Sequence, residues 1–153
     1  LADQFDIHRS LGYLIAHAFR AASASIQLSF KANGLEINKN HWFIMAKTHF
    51  FADNCLRQVE VVGFMQGDKT RVTRAVGDLV KWGWIHQEID PNDRRNRLLS
   101  ITPKGQAVMP TLIECVVKTH ESLTKDIDPQ DLEIARKVLM AFINNGNSII
   151  STT

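Results

Sequence analysis

The chain has 153 residues, 44% of them hydrophobic, which suits one domain, or one domain with helical extensions, around a real core. Its formal net charge of +2 points to no partner by itself, and no apolar run approaches the roughly 18 residues of a membrane span. The two cysteines, Cys55 and Cys115, cannot make a disulfide framework and lack zinc-site spacing; with no secretory signal at the start, a reducing cytoplasm is the expected location.

From Ile7, the residues Leu11, Ile15, Ala18, Phe19, Ala22 and Ile26 form a helical stripe several turns long, and Gly34 is a stop signal. A helix of this length serves either as an ordinary core helix or as one that reaches a partner subunit. Asn38 reads as the cap of a second helix running through Trp42, Phe43, Met45 and Ala46 toward Phe50. Its aromatic and thioether content suits a core or the wall of an apolar pocket. Asp53-Asn54 reads as a turn, Leu56 to Met65 as a short helix with Val59, Val62 and Met65 inward, and Gln66-Gly67 as the next turn. A short helix, a tight turn and a longer helix make a helix-turn-helix.

The stretch Asp68 to Gly105 carries the most information. Val72, Val76, Leu79 and, on the flank, Val80 recur at helical spacing, and Asp68 is placed to cap the helix. The opposite side carries Lys69, Thr70, Arg71, Thr73, Arg74 and Lys81. Gly83 breaks the helix; Ile85 to Ile89 and Leu98 to Ile101 read as paired strands around a loop with Arg94, Arg95 and, at its end, Arg97. Thr102 before Pro103 is a cap with proline at the first helical position. A basic helix face followed by an arginine-tipped hairpin is what a winged helix-turn-helix uses: the helix enters the major groove and the tip reaches phosphates or the minor groove. Residues 68–105 hold eight Lys or Arg against five Asp or Glu, and the rest of the chain ten against eleven, so the basic excess lies where DNA contact is expected.

Beyond Pro103, Val108, Leu112, Val116 and Leu123 mark one face of a helix, and Leu132, Ala135, Val138, Leu139 and Phe142 mark another that starts at Asp128-Pro129 and ends at Asn145-Gly146. These faces follow a complete DNA-reading unit and need a burial partner. The economical partner is the first helix together with a second subunit, which predicts a homodimer reading an inverted repeat.

Asp68-Lys69-Thr70-Arg71-Val72-Thr73-Arg74, Leu79, Gly83, Asp90-Pro91-x-Asp93-Arg94-Arg95 and Leu99-x-Ile101-Thr102-x-x-Gly105 resemble the MarR family of bacterial transcriptional regulators. The resemblance implies a mainly α fold with a small β-hairpin wing, one domain over 1–153. Residues 38–105 would form the winged helix-turn-helix, and residues 1–34 and 106–153 the dimerisation helices. Three positions depart from the family: Arg71 replaces a small hydroxyl residue, Gln87 an arginine and Gly67 an aliphatic residue.

On this reading Thr70, Arg71, Thr73 and Arg74 face base edges, Lys69 and Lys81 neutralise phosphate, and Arg94, Arg95 and Arg97 belong to the wing. Arg95 is the first choice for the minor groove, and Asp93 orients one of the tip arginines. Related proteins bind small aromatic or phenolic effectors between dimerisation helices and winged domain, for which His17, Trp42, Met45 and His49 are candidates. The expected function is a homodimeric repressor released by such an effector, without a cofactor.

Nothing reads as catalytic: there is no Gly-rich phosphate loop, nucleophile elbow or HExxH helix. Among six histidines, His49 and Asp53 have one-turn spacing, yet a metal site needs three or four ligands. A metal- or redox-responsive regulator on the same fold and a winged-helix protein-interaction module without DNA binding are the alternatives.

Overall fold

The computed structural model describes residues 6–51, 55–65 and 68–151. A 3₁₀ turn at Ile7–Arg9 leads into α1 (Leu11–Ala32), followed by α2 (Lys39–Phe51), β1 (Cys55–Arg57), α3 (Gln58–Phe64) and α4 (Lys69–Lys81). Then come β2 (Ile85–Ile89), β3 (Arg97–Ile101), α5 (Pro103–Leu123) and α6 (Pro129–Ser151). The chain divides into two compact units, 1–119 and 120–153. No helix among the described residues is long and apolar enough to cross a membrane.

Local chemistry sets the helix ends. Gly34 and Gly83 both adopt φ +72°, a left-handed conformation that costs glycine nothing, and each closes a helix with the same double bond pattern. After α1, Leu35 N–H donates to Phe30 O and Gly34 N–H to Lys31 O; after α4, Trp84 N–H donates to Leu79 O and Gly83 N–H to Val80 O. At the N-termini, Asn38 Oδ1 accepts from Asn40 N–H at 2.8 Å, Asp68 Oδ1 from Arg71 N–H at 2.9 Å and Thr102 Oγ1 from Gly105 N–H at 3.0 Å. All three caps are the ones expected from the sequence.

The core of the first unit joins Phe30 of α1, Ile44 and Met45 of α2, Val72, Val76 and Leu79 of α4, Leu99 of β3 and Met109 and Leu112 of α5. Val80 stays outside it, 38% exposed, as a flank position should. Only the last part of α1 takes part. Leu11, Leu14 and Phe19 near its start are each close to half exposed.

The sheet corrects the sequence reading. Cys55–Arg57 is a strand, not the start of a helix, and pairs antiparallel with β3 through Leu56↔Leu99, giving the order β1-β3-β2. Three residues are too short to show an alternating pattern, and their hydrogen-bonding partner lies far along the chain. With the helix beginning at Gln58, its inward face rotates. Val61 is buried, Val62 and Met65 are half-buried and Val59 is 54% exposed. The expected turns at Asp53-Asn54 and Gln66-Gly67 lie outside the described residues. β3 begins at Arg97, one residue earlier than expected, where Arg97 pairs with Ile89.

Two further corrections concern the last helices. On α5 the buried side is Gly105, Met109, Leu112, Cys115 and Thr119, with Val108 and Val116 half-buried on its flank and Leu123 43% exposed. α6 does not end at Asn145-Gly146 but continues to Ser151. A lone glycine in a helix costs only about 1 kcal/mol, and Gly146 is not among the positive-φ residues that would mark a cap. No residue of α6 is buried: Val138, Leu139, Met140, Phe142 and Ile143 remain 42–52% exposed.

Candidate nucleic-acid interface

α4 is a strongly two-sided helix. Val72, Ala75, Val76 and Leu79 anchor it in the core, which leaves Lys69, Thr70, Arg71, Thr73, Arg74 and Lys81 exposed together on the opposite side. Every side chain expected to meet bases or phosphate is thus on the solvent face. Two have local partners: Thr73 Oγ1 donates to Lys69 O at 2.8 Å, and Arg71 Nε lies 2.9 Å from Asp68 Oδ2. The second contact makes Asp68 both the helix cap and the counter-ion of Arg71. An exposed pair of this kind is weak, so Arg71 can exchange it for a stronger acceptor.

Asp78 is the one acid on this face of α4, and a buried histidine holds it. His41 Nε2 lies 3.2 Å from Asp78 Oδ2 while His41 Nδ1 accepts from Asn38 N–H at 3.1 Å. The backbone donor fixes the tautomer: Nδ1 must be unprotonated, so Nε2 carries the hydrogen given to Asp78. Burial pushes the pKa of His41 below the usual imidazole value, outweighing the hydrogen bond and charge of Asp78, which act the other way. His41 therefore ties the first turn of α2 to α4 as a neutral group.

The wing is the β2–β3 hairpin, with Arg94 and Arg95 exposed in its loop and Arg97 exposed at the head of β3. The loop is shaped by its own acids. Asp90 N–H donates to Asn96 O at 3.1 Å, Asn96 N–H to Asp93 O at 2.8 Å, and Asp90 Oδ1 accepts from Asn92 N–H at 2.8 Å. Asp93 was expected to orient a tip guanidinium. Its carboxylate instead accepts from Arg95 N–H at 3.0 Å and from Asn96 Nδ2 at 2.9 Å. It acts on Arg95 through the backbone, because the turn brings free amides closer than the guanidinium.

The four effector candidates differ in burial and in their ring neighbours. His17 is exposed on α1 against Tyr13, with ring centroids 4.2 Å apart, and Trp42 is half-buried against Phe30 at 6.2 Å. Met45 is wholly buried, and His49 meets Phe50 edge-on at 4.7 Å. Asp53, once paired with His49 as a possible metal ligand, lies outside the described residues. No group of three or more His, Cys, Asp or Glu side chains comes together among the described residues.

A cleft of about 210 Å³ does open beside α4, lined by Phe19, Lys39, Asn40, Phe43, Met65, Asp68 and Arg71. Phe19 and Phe43 stack nearly parallel at 6.4 Å, with the Lys39 ammonium 5.0 Å from the Phe19 ring centroid. The helical stripes contain Phe19 and Phe43, but a period alone cannot separate a cleft wall from a core.

An anchored helix with a cationic outer face, braced by a short preceding helix and followed by an arginine-tipped hairpin, defines a winged helix-turn-helix protein. No protein-family model matches the chain. The multiple antibiotic resistance protein MarR of Escherichia coli is 29% identical over 79 residues, so the match spans about half the length of that relative, 55%, and 51% of this chain. A crystal structure of MarR superposes with a TM-score of 0.83 at 19% identity, covering 98% of this chain and 99% of that one. A mutant of Escherichia coli MarR complexed with operator DNA gives 0.73 at 22% identity over 86% and 92% of the two chains. CouR of Rhodococcus jostii bound to p-coumaroyl-CoA gives 0.73 at 18% over 90% and 94%. The chain is thus similar in sequence to MarR over about half its length and shares the winged helix-turn-helix fold of the MarR structures.

Proposed function

We propose that the protein is a homodimeric repressor that binds an inverted-repeat operator in the cytoplasm and releases it when a small effector binds. The observation that carries this reading is the outer face of α4: Lys69, Thr70, Arg71, Thr73, Arg74 and Lys81 exposed together on a helix whose other side is locked in the core. Thr70, Arg71, Thr73 and Arg74 meet base edges, Arg74 being suited to guanine. Lys69 and Lys81 take phosphate, and Arg94, Arg95 and Arg97 follow the flanking backbone and minor groove. The related MarR complexed with operator DNA supports the same use of the fold.

The dimer rests on unpartnered apolar surface. Among the described residues none of α6 is buried, and Val138, Leu139, Met140, Phe142 and Ile143 are all large, apolar and about half exposed. A helix of this character is stable in water only when that surface is covered, and a second copy covers it with the symmetry an inverted repeat requires. The effector reading is supported by the p-coumaroyl-CoA held by CouR and by the cleft beside α4. An occupant stacked on Phe19 and Phe43 would lie against Arg71 and Asp68, coupling it to the DNA-reading helix by the difference in its affinity for the two states. His17, Trp42, Met45 and His49 are not among the residues lining that cleft.

Selection from random duplex DNA at two salt concentrations tests the function. An enriched inverted repeat whose binding weakens steeply as salt rises is the expected result. Salt-insensitive binding with no enriched sequence overturns it and favours a protein-interaction role.

A further inference from the structure

We propose that Arg57, which lies in neither DNA-contacting element, is a positioning residue for the wing: paired with buried Asp90, it clamps the base of the β2–β3 hairpin to β1. The inference rests on the wing being a DNA contact.

β1 and β2 lie on opposite sides of β3. In the register Arg57 faces Leu98, and Leu98 faces Glu88 on the far strand. To reach Asp90, just past Ile89 of β2, the Arg57 side chain must cross the whole width of the sheet. It does so, placing Nε 3.0 Å from Asp90 Oδ2. The N–H is not aimed along a hydrogen bond to that oxygen, so the contact is an ion pair. Asp90 is 1% exposed, whereas the Arg57 side chain is 49% exposed. The other carboxylate oxygen takes Asn92 N–H, and the Asp90 N–H closes the loop on Asn96 O. One buried carboxylate therefore serves both as the first turn of the loop that carries Arg94 and Arg95 and as the anchor of that loop to the rest of the sheet.

A second bridge runs the same way, from Gln87 Nε2 to Gln58 Oε1 at 2.7 Å. Consecutive residues at the β1–α3 junction thus hold β2 twice. Without Arg57 the Asp90 charge would be buried uncompensated, which is costly unless the hairpin moves to hydrate it. A two-stranded ribbon is only marginally stable by itself. A wing hinged at its base would also pay an added ordering cost whenever Arg95 was brought to DNA.

Arg57 is exposed enough to touch phosphate directly, and the experiment separates the two roles. Full-length Arg57→Gln, Asp90→Asn, Arg57→Lys, Arg95→Ala and the Arg57→Gln/Arg95→Ala double variant are titrated with the duplex selected by the wild-type protein, and amide hydrogen exchange is followed without DNA. Positioning predicts that Arg57→Gln and Asp90→Asn each weaken binding roughly tenfold, a size typical of coupled neighbours. Arg57→Lys should restore most of the loss, and Arg57→Gln should add little once Arg95 is gone. It also predicts faster exchange at the Asp90 and Asn96 amides in Arg57→Gln, with the far-ultraviolet spectrum unchanged. Losses that multiply in the double variant, a silent Asp90→Asn, or unchanged exchange would overturn the clamp. If the wild-type chain selected no duplex, the DNA reading would fail, and the exchange measurement alone would decide whether Arg57 holds the hairpin.

Discussion

Gly105→Ala asks whether α5 is seated on the start of β2 as closely as the structure requires. A Cβ built on Gly105 would stand 2.2 Å from Trp84 O, 2.8 Å from Ile101 Cγ1 and 3.0 Å from Trp84 C. Two of the three obstacles are backbone atoms, which no rotamer change removes. The first turn of α5 would have to retreat by roughly 1 Å to restore ordinary contact. That retreat pulls on one small network: Thr102 N–H donates to Trp84 O at 3.0 Å, Thr102 Oγ1 donates to Gly83 O at 2.6 Å, and Gly105 N–H donates to Thr102 Oγ1 at 3.0 Å.

Losing the cap costs about 1 kcal/mol, weakening the backbone bond about 1 kcal/mol, and overpacking a further ~1–3 kcal/mol. The sum, about 3–5 kcal/mol, is a large part of ordinary domain stability and should lower Tm by roughly 10–15 °C. Urea unfolding and thermal melts followed by circular dichroism measure it. The matched control is Gly77→Ala on α4, where nothing lies within 4 Å of the new methyl; it should stabilise by ~0.5–1 kcal/mol. If Gly105→Ala melted within about 2 °C of the wild type, where a change of a few kcal/mol is expected to show, the close seating of α5 on Trp84 would be wrong.

Arg74→Ala should remove discrimination at one base pair of the selected operator, at a cost of about 1–3 kcal/mol, seen as a relaxed sequence preference in competition titrations. Lys81→Ala should weaken cognate and random duplexes alike and reduce the salt slope by about one unit; identical behaviour of the two variants on both duplexes would refute the division between base and phosphate contacts. Because burial lowers the pKa of His41, the unfolded chain takes up that proton first. The contribution of neutral His41 is complete above about pH 6.5 and is lost as pH falls below it. Urea midpoints measured across that range should therefore decline less steeply in His41→Gln, and parallel declines would show that another group titrates. Val138→Asp with Phe142→Asp should convert a sedimenting dimer to monomer, since both side chains are nearly half exposed on α6; a dimer of unchanged stability would place the subunit contact elsewhere.

What could be read from the sequence was local. Asp68, Gly83 and Thr102-Pro103 act within one turn of themselves, and Val72, Val76 and Leu79 repeat at the helical period, so α4 and the start of α5 follow from neighbouring residues. The basic face of α4 follows as well, because fixing the buried side fixes the exposed one. β1 was hidden because three residues carry no period and their partner, β3, is more than 40 positions away. Separation along the chain also hid Arg57–Asp90 and the contact of His41 with Asp78, whose members have no pattern linking them. Met45 belongs to a stripe that correctly signals burial. Phe19 and Phe43 show no such difference in pattern, yet they line a cleft.

The two kinds of information meet at the backbone of Trp84. Its N–H closes α4 on Leu79 O, and its carbonyl accepts from Thr102 N–H and Thr102 Oγ1 at the head of α5. Gly105 is pressed against that same carbonyl, and β2 begins at the next residue. The end of α4, the start of β2 and the start of α5 therefore all meet at one residue, Trp84. A displacement of α5 near Thr102 must move α4 and the wing with it or break several hydrogen bonds together. Under the function proposed above, this junction favours motion of the winged unit as one body.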